Sequence, residues 1–216
     1  MLNLHKLKLV IFDCDGVLFD SFNANKHFYN KIAQMAGRSK LDSRELAYCH
    51  MHTAEESIRY IFRNDLNLLE AAFECYKDLD YQDFLHYMEM EPEMVETVRL
   101  LGTRYHTAIS TNRSTTMPRL REIYGLDDVF DVIVCALDVD IPKPDPEGVF
   151  KILRLFDLRP ENAVYIGDSM VDQEVAMRAG VPFLAYKNRK LDAVFHVERF
   201  GELSALLMDE DIEGDD

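Results

Sequence analysis

The feature that most constrains the fold of this chain is a regular alternation of short apolar segments with longer amphipathic segments. Short runs rich in β-branched and aromatic residues predict buried strands, and apolar residues spaced three and four apart predict helices. The predicted strands are residues 7–12, 106–110, 129–135, 163–166 and 182–186, and the predicted helices are residues 92–101, 115–124, 146–156 and 171–179. Strands that alternate with helices pair in parallel through right-handed crossovers. We therefore predict an α/β fold with a doubly wound, Rossmann-like parallel sheet.

A long helical segment interrupts this alternation directly after the first predicted strand. Residues 20–91 show helical periodicity, with apolar residues such as Phe28 and Met35 on one face, and contain no convincing strand. A segment of this length exceeds what a crossover between parallel strands needs. We therefore predict a Rossmann-like core of residues 1–19 and 92–216, with an all-helical cap domain of residues 20–91 inserted beside the ligand crevice of the sheet.

Four polar segments follow predicted strands, and parallel strands bring their carboxyl ends together at one edge of a sheet. These segments contain Asp13 and Asp15, the adjacent Thr111 and Asn112, Lys143, and the pair Asp168 and Asp172. Acidic residues that converge repel one another, so they require a cation, and a ligand set of oxygen atoms suits Mg²⁺. A lysine ammonium and a threonine hydroxyl both suit phosphate oxygens. The pattern therefore predicts a phosphoryl-transfer site.

The segment LVIFDCDGVLFDS resembles the first signature of the haloacid dehalogenase-like superfamily, and the three later segments resemble its remaining signatures in order. The resemblance spans residues 9–180. It implies a Mg²⁺-dependent phosphatase that forms an aspartyl-phosphate intermediate. The helical insertion is similar to the cap of the phosphoglycolate phosphatase and phosphomutase branch.

The resemblance also implies a role for individual residues. Asp13 resembles the nucleophile, and Asp15 resembles the general acid and base that lies two residues later. Thr111, Asn112 and Lys143 would bind phosphate, and Lys143 would also neutralise its charge. Mg²⁺ would be coordinated by the side chains of Asp13, Asp168 and Asp172 and by the backbone carbonyl of Asp15.

Some of these residues also have simpler interpretations. Ser110 offers the same hydroxyl group one residue before Thr111, although the hydrophobic spacing favours Thr111. Asp172 also suits the first turn of a helix, where a carboxylate interacts favourably with the helix dipole. In the cap, His50 and His52 lie near a predicted turn between helices and are candidates for residues that select the substrate. The alternative is that they are surface or helix-capping histidines, which are commoner.

Composition restricts the partners and the compartment. The net charge of −15 disfavours nucleic acid and anionic membranes. The acidic residues of the tail 208–216 predict a solvated end rather than a dedicated interaction segment. The apolar runs are too short to span a membrane, and the amino terminus does not resemble an export signal.

The cysteines favour a reducing compartment. The four cysteines are scattered and form no zinc motif, and Cys14 is predicted to be a packing residue. We therefore expect a cytoplasmic protein, a monomer or homodimer, that binds a small phosphorylated metabolite and neither nucleic acid nor membrane.

Other functions share part of this pattern. A sugar-phosphate phosphomutase is the main alternative. The caps of such mutases tend to carry an arginine just before an acidic pair, whereas Ala54 precedes the pair Glu55-Glu56 here. A dehalogenase lacks an aspartate at the position of Asp15. A catalytically silent binding or regulatory protein would need neither the nucleophile nor the acid. The sequence therefore favours a phosphatase acting on a small-molecule phosphomonoester, and it does not identify that substrate.

Overall fold

The computed structural model describes residues 2–51 and 54–208. In chain order, the strands are β1 (Leu9–Phe12), β2 (Phe19–Asp20), β3 (Glu89–Met90), β4 (His106–Ser110), β5 (Val132–Val134), β6 (Ala163–Gly167), β7 (Phe183–Tyr186) and β8 (Phe195–Val197). The helices are α1 (Phe22–Met35), α2 (Ser43–Met51), α3 (Ala54–Ile61), α4 (Leu66–Asp78), α5 (Met94–Gly102), α6 (Met117–Tyr124), α7 (Glu147–Leu155), α8 (Met170–Ala179) and α9 (Phe200–Met208).

The centre of the fold is a six-stranded parallel sheet in the order β5-β4-β1-β6-β7-β8. In the register of β1, Leu9 pairs with His106 on one side and with Ala163 on the other. All four residues of β1 are buried, as expected for a parallel strand that is covered on both faces. The predicted doubly wound α/β core is confirmed.

Alternate residues of β1 enter different parts of the core. Leu9 and Ile11 belong to a cluster that includes Val149 of α7 and Val175 of α8. The ring of Phe12 instead stacks on Phe200 of α9, with ring centroids 6.2 Å apart. Helices on both faces therefore hold β1 in the middle of the sheet, and its carboxyl end lies among the ends of neighbouring strands.

Several elements differ from their predicted bounds. The predicted strand 129–135 shortens to β5, because Val129 takes a helical conformation at the end of a 3-10 helix and Cys135 caps the start of another. The elements β8 and α9 were not predicted. β8 is a three-residue edge strand with two exposed residues, which is too short to give a clear alternation.

The described chain divides into two compact units. The core unit contains residues up to 19 and from 90 onwards, and the helical unit contains residues 20–89. The chain crosses between them at β2 and β3, which pair as a two-stranded sheet. The expectation that residues 20–91 contain no strand was wrong at β3, because two residues are too few to produce a pattern.

The helical unit has a hydrophobic core of its own. Phe28 of α1 is 3% exposed, and Ile58 of α3 and Phe62 are also buried in this core. Met35 was predicted on the same apolar face as Phe28, but it is 44% exposed at the end of α1. The role of this unit as a cap domain stays a prediction.

Candidate active site

The carboxyl ends of four neighbouring strands, β5, β4, β1 and β6, lie at one edge of the sheet. Asp13 directly follows β1, Thr111 follows β4, Asp168 follows β6, and Lys143 lies in the segment between β5 and α7. A cavity of about 360 Å³ lies here, lined by Asp13, Asp15, Thr111, Asn112, Arg113, Lys143, Ser169, Val171 and Asp172. Segments that are far apart in the sequence therefore converge on one small cavity, and most of the residues that line it carry polar groups.

Three carboxylates form a cluster at this edge. Asp13, Asp168 and Asp172 each offer one oxygen atom, and these atoms lie within 4.8 Å of one another. Burial and the negative charge of Asp172 raise the pKa of Asp13 to about 8, against the opposing effect of Lys143. Burial and Asp172 likewise raise the pKa of Asp168 to about 7. Burial and neighbouring negative charge thus disfavour ionisation of these acids, and a bound divalent cation would favour their carboxylate forms.

The carboxylate of Asp15 is not part of this cluster of described acidic groups. The sequence analysis assigned the backbone carbonyl of Asp15, and not its carboxylate, as a metal ligand. The position of the Asp15 carboxylate therefore does not test that prediction.

Two glycines allow the acidic segments to approach one another. Gly16 has a φ of +78°, and a Cβ atom there would lie 2.1 Å from Oδ2 of Asp168. A Cβ atom at Gly167 would lie 2.3 Å from Cβ of Asp172. Both distances are far below van der Waals contact, so neither position accommodates a side chain while the cluster keeps this geometry.

Lys143 places a buried ammonium group between the acids. Its Nζ donates to Oδ1 of Asp13 at 2.6 Å and to Oδ1 of Asp172 at 2.7 Å. It also donates to the Tyr165 hydroxyl at 2.9 Å. Burial alone would lower the pKa of Lys143, but the negative charges of Asp13 and Asp172 raise it above its ordinary value. The ammonium therefore stays charged and is directed at the predicted nucleophile.

Asn112 holds the backbone of Lys143 in place. The Lys143 N–H donates to Oδ1 of Asn112 at 2.8 Å, and Nδ2 of Asn112 donates to the Lys143 carbonyl at 3.0 Å. Both ends of the side-chain amide therefore bind the lysine segment. The predicted contact of Asn112 with phosphate stays a prediction.

Asp172 caps a helix and also belongs to the acidic cluster, while its predicted coordination of Mg²⁺ stays a prediction. Its Oδ2 accepts hydrogen bonds from Ser169 Oγ at 2.6 Å and from Ser169 N–H at 3.2 Å, and its own N–H donates to Ser169 Oγ at 3.2 Å. This reciprocal pattern is a capping box at the start of α8. Burial alone would raise the pKa of Asp172, but Lys143 and Ser169 lower it. Asp172 thus caps the helix and remains an anionic member of the cluster.

Asp15 pairs with Arg113, which the sequence analysis did not single out. Nε of Arg113 donates to Oδ2 of Asp15 at 2.7 Å, and Nη2 donates to Oδ1 at 2.6 Å. This is a bidentate, charge-assisted pair. The Arg113 side chain is 8% exposed and the Asp15 side chain 38% exposed. The predicted general acid is therefore held at the cavity wall by a buried guanidinium.

The structure separates the two neighbouring hydroxyl groups. Thr111 lines the cavity, and its Oγ1 accepts a hydrogen bond from Arg113 N–H at 3.1 Å. The Ser110 hydroxyl lies beside α7 instead, where a Cβ atom at Gly148 would be 3.3 Å from it. Successive residues of an extended segment point in opposite directions, so only one of the two hydroxyls faces the cavity. This arrangement favours Thr111 as the phosphate-binding hydroxyl.

Other predicted residues lie at the limits of the described chain. His50 is described only as part of α2, and His52 lies outside the described residues. Their specificity role stays a prediction, and the tail from residue 209 also lies outside. Cys14 is fully buried, and burial raises the pKa of its thiol, which agrees with the predicted packing role.

Tyr165 is a second site residue that the sequence analysis missed. It is fully buried on β6. Its hydroxyl accepts from Lys143, donates to the Ser110 carbonyl at 3.2 Å and lies 3.2 Å from Oδ1 of Asp172. The available signal was a hydroxyl inside an otherwise apolar strand. For Arg113, the signal was a cation directly after the segment Ser110-Thr111-Asn112.

Comparison with known proteins identifies the family. The chain belongs to the haloacid dehalogenase-like hydrolase family, whose pattern it matches over residues 10–186. It is 30% identical over 208 residues to a phosphoglycolate phosphatase of Rhodobacter capsulatus, covering 91% of this chain and 94% of that protein. It is 27% identical to the pyrophosphatase PpaX of Bacillus mycoides, covering 83% of each chain.

A solved structure shows the same fold. The crystal structure of a haloacid dehalogenase-superfamily hydrolase of subfamily IA from Geobacter sulfurreducens is 37% identical, with a TM-score of 0.87, and the match covers 94% of this chain and 97% of that one. The predicted family is confirmed, and with it the prediction of an enzyme of the phosphatase type. Within residues 2–51 and 54–208, no helix combines the length and the apolar character needed to cross a membrane.

Proposed function

We propose that this protein is a Mg²⁺-dependent phosphatase that hydrolyses a small-molecule phosphomonoester through a phosphorylated Asp13. The observation that carries the proposal is the pairing, at the cavity, of the buried Asp13 carboxylate with the Lys143 ammonium at 2.6 Å, beside the acids Asp168 and Asp172. A carboxylate nucleophile divides phosphate ester hydrolysis into two easier steps. The ammonium reduces the repulsion between that carboxylate and a phosphate dianion.

The donor set fits a magnesium ion. Three carboxylate oxygens lie within 4.8 Å of one another, and oxygen ligands of this kind suit a hard divalent cation. Asp13, Asp168 and Asp172, with the backbone carbonyl of Asp15, would hold it. When bound, the ion neutralises the cluster and polarises the phosphoryl oxygens.

The first half of the reaction transfers the phosphoryl group to the protein. A carboxylate oxygen of Asp13 bonds to phosphorus while the bond from phosphorus to the leaving oxygen breaks. Asp15 gives its proton to that oxygen, so the alcohol leaves uncharged. Lys143 and the Thr111 hydroxyl hold the phosphoryl oxygens during the transfer.

The second half releases phosphate. Asp15, now deprotonated, takes a proton from a water molecule as the water oxygen bonds to phosphorus. The bond between phosphorus and the Asp13 oxygen breaks, and inorganic phosphate leaves. Asp13 is again a carboxylate and Asp15 again carries its proton, so both residues return to their starting states.

The substrate is expected to be small and polar. The cavity of about 360 Å³ is lined mainly by charged and hydroxyl-bearing residues, which supports a phosphoryl group with a short polar remainder. The names of two relatives, a phosphoglycolate phosphatase and a pyrophosphatase, support the same class. The helical unit would act as the cap that closes over the substrate, with His50 and His52 contributing to its selection.

The test is turnover of para-nitrophenyl phosphate by the purified protein with Mg²⁺, followed by a panel of phosphoglycolate, sugar phosphates and pyrophosphate. We expect Mg²⁺-dependent release of phosphate, and we expect Asp13→Asn to abolish it because an amide of similar shape is a poor nucleophile. A phosphoenzyme labelled on a residue other than Asp13 would contradict the mechanism. Conversion of a sugar phosphate to an isomer without phosphate release would identify a phosphomutase instead.

A further inference from the structure

We propose that Arg113 is a positioning residue for Asp15, and this proposal rests on the proposed function. The guanidinium holds both oxygens of the Asp15 carboxylate at the cavity wall, at 2.6 and 2.7 Å. Asp15 must exchange its proton with the leaving oxygen and later with water, and both exchanges require a carboxyl group in a defined position. Arg113 supplies that definition through its two hydrogen bonds to the Asp15 carboxylate.

The geometry of the pair restricts both partners. A bidentate arginine fork defines the plane of the carboxylate as well as its distance, which a single hydrogen bond or a lysine ammonium does not. Nη1 of Arg113 also donates to Thr116 Oγ1 at 3.3 Å, which orients the guanidinium itself. The arginine side chain is almost fully buried, so its guanidinium is shielded from solvent although the Asp15 carboxylate is partly exposed.

The segment that carries Arg113 is held by backbone contacts as well. The Arg113 N–H donates to Thr111 Oγ1 at 3.1 Å, and the Arg113 carbonyl accepts from Ala136 N–H at 2.9 Å. Shortening the Arg113 side chain therefore leaves these bonds available to hold the segment. The specific effect of that change falls on Asp15.

The pair also sets how Asp15 enters the reaction. In the observed arrangement both carboxylate oxygens of Asp15 accept from Arg113, so one of them must be released to meet the leaving group. The second hydrogen bond then keeps Asp15 at the cavity wall during proton transfer. Loss of the fork leaves a partly exposed carboxylate free to adopt several rotamers, and few of these suit proton transfer.

The experiment compares leaving groups in Arg113→Gln, Arg113→Lys and the control Arg121→Gln. Arg121 pairs with Asp127 at 2.7 Å and does not line the cavity, so its loss removes an arginine–aspartate pair of the protein surface without affecting Asp15. Single-turnover phosphorylation of the enzyme is measured with an alkyl phosphate, whose leaving oxygen needs a proton, and with para-nitrophenyl phosphate, whose leaving group departs as an anion.

We expect Arg113→Gln to slow phosphorylation by the alkyl phosphate about tenfold or more, and by the aryl phosphate less than about threefold. Arg113→Lys keeps the charge but loses the fork, so its rate should fall between those of Arg113→Gln and the wild type. It also tests the proposal should Arg113→Gln fail to fold. Arg121→Gln should change neither rate, and Mg²⁺ affinity measured by calorimetry should be equal in all variants.

The double variant with Asp15→Asn separates a positioning role from a structural one. If Arg113 acts through Asp15, adding Arg113→Gln to Asp15→Asn causes no further loss in the rate of phosphorylation. Equal slowing of both substrates in the Arg113 variants, or a full additional loss on top of Asp15→Asn, would overturn the proposal. If the wild type turns over both substrates and the Arg113 variants show unchanged rates, the role of Arg113 is overturned and the proposed function stands. If the wild type turns over neither substrate, the proposed function is overturned as well.

Discussion

Lys143 illustrates how much of this site depends on single hydrogen bonds. Its ammonium has two anionic partners, Asp13 and Asp172, and one neutral partner, the Tyr165 hydroxyl. The two carboxylates each accept a hydrogen bond from the ammonium, and the hydroxyl accepts a third. Tyr165 therefore contributes to the position of Lys143 although it does not itself line the cavity.

Tyr165→Phe is expected to lower kcat about tenfold, less than Lys143→Ala, because the ammonium keeps its charge but loses one of its three contacts. The variant also leaves the Ser110 carbonyl without its buried donor, which should cost about 1–3 kcal/mol of unfolding free energy. Initial rates with para-nitrophenyl phosphate and urea unfolding measure the two effects.

The matched control for this variant is Tyr105→Phe. Tyr105 is also buried, and its hydroxyl donates to the Leu207 carbonyl at 2.6 Å, away from the site. Both variants should lose stability, and only Tyr165→Phe should lose activity. Equal rates in the two variants would show that Tyr165 is a packing residue alone.

At the scale of the element, α8 begins inside the site. Ser169 caps the helix and donates to Asp172, so the same residue stabilises the helix start and orients an acid of the cluster. Helix capping and site geometry are therefore coupled at this position, whereas Asp65, which caps α4, is not part of the acidic cluster.

Ser169→Ala is expected to cost about 1 kcal/mol of stability through loss of the cap, and to lower both Mg²⁺ affinity and kcat because Asp172 loses its shortest hydrogen bond. Asp65→Ala is the control, since Asp65 caps α4 of the helical unit by accepting from two backbone N–H groups at 3.1 Å. Thermal unfolding should be similar in the two variants. An unchanged Mg²⁺ affinity in Ser169→Ala would contradict the coupling.

The helical unit is expected to supply specificity rather than chemistry, because all four catalytic signatures lie outside residues 20–91. Alanine at His50 or His52 should therefore change the ranking of natural phosphate esters more than the rate with a generic aryl phosphate. His5→Ala is the control, since His5 is exposed before the amino end of β1. A uniform loss with every substrate, absent from His5→Ala, would assign the cap histidines to catalysis or folding.

At the scale of the whole molecule, metal binding at the acid cluster is expected to stabilise the fold. A ligand that binds only the folded state raises the free energy of unfolding, by about 2.7 kcal/mol at 100 times its dissociation constant. The three clustered carboxylates exist as a site only in the folded chain, because they come from two segments far apart in the sequence.

Mg²⁺ is therefore expected to raise the Tm of the wild type and to be required for turnover, and excess EDTA should remove both effects. Calcium should raise the Tm as well but inhibit turnover, since its larger and looser coordination misplaces Asp13 relative to phosphorus. Asp168→Asn should reduce both thermal shifts. Full activity in EDTA would contradict the proposed role of the metal.

Local pattern was sufficient for most of the fold. The strand 106–110 was predicted to the residue, because it lies between the predicted helix stop at Gly102 and the polar segment that begins at Thr111. The helix 115–124 starts two residues later than predicted, at α6, where Pro118 occupies the first turn. β3 and β8 were missed because two or three residues carry too little pattern, and their pairing partners lie elsewhere in the chain.

The sequence by itself determined the α/β class, the helical insertion and the acidic, hydroxyl and lysine segments at the strand ends, since each depends on neighbouring residues. Only the tertiary structure decided which side chains pair. Lys143 meets Asp13 across 130 positions of sequence, and Arg113 meets Asp15 across 98. Such partners are selected by the stacking order of the strands and by the space between them. A pattern of neighbouring residues contains no information about either, so Arg113 and Tyr165 became recognisable as site residues only in three dimensions.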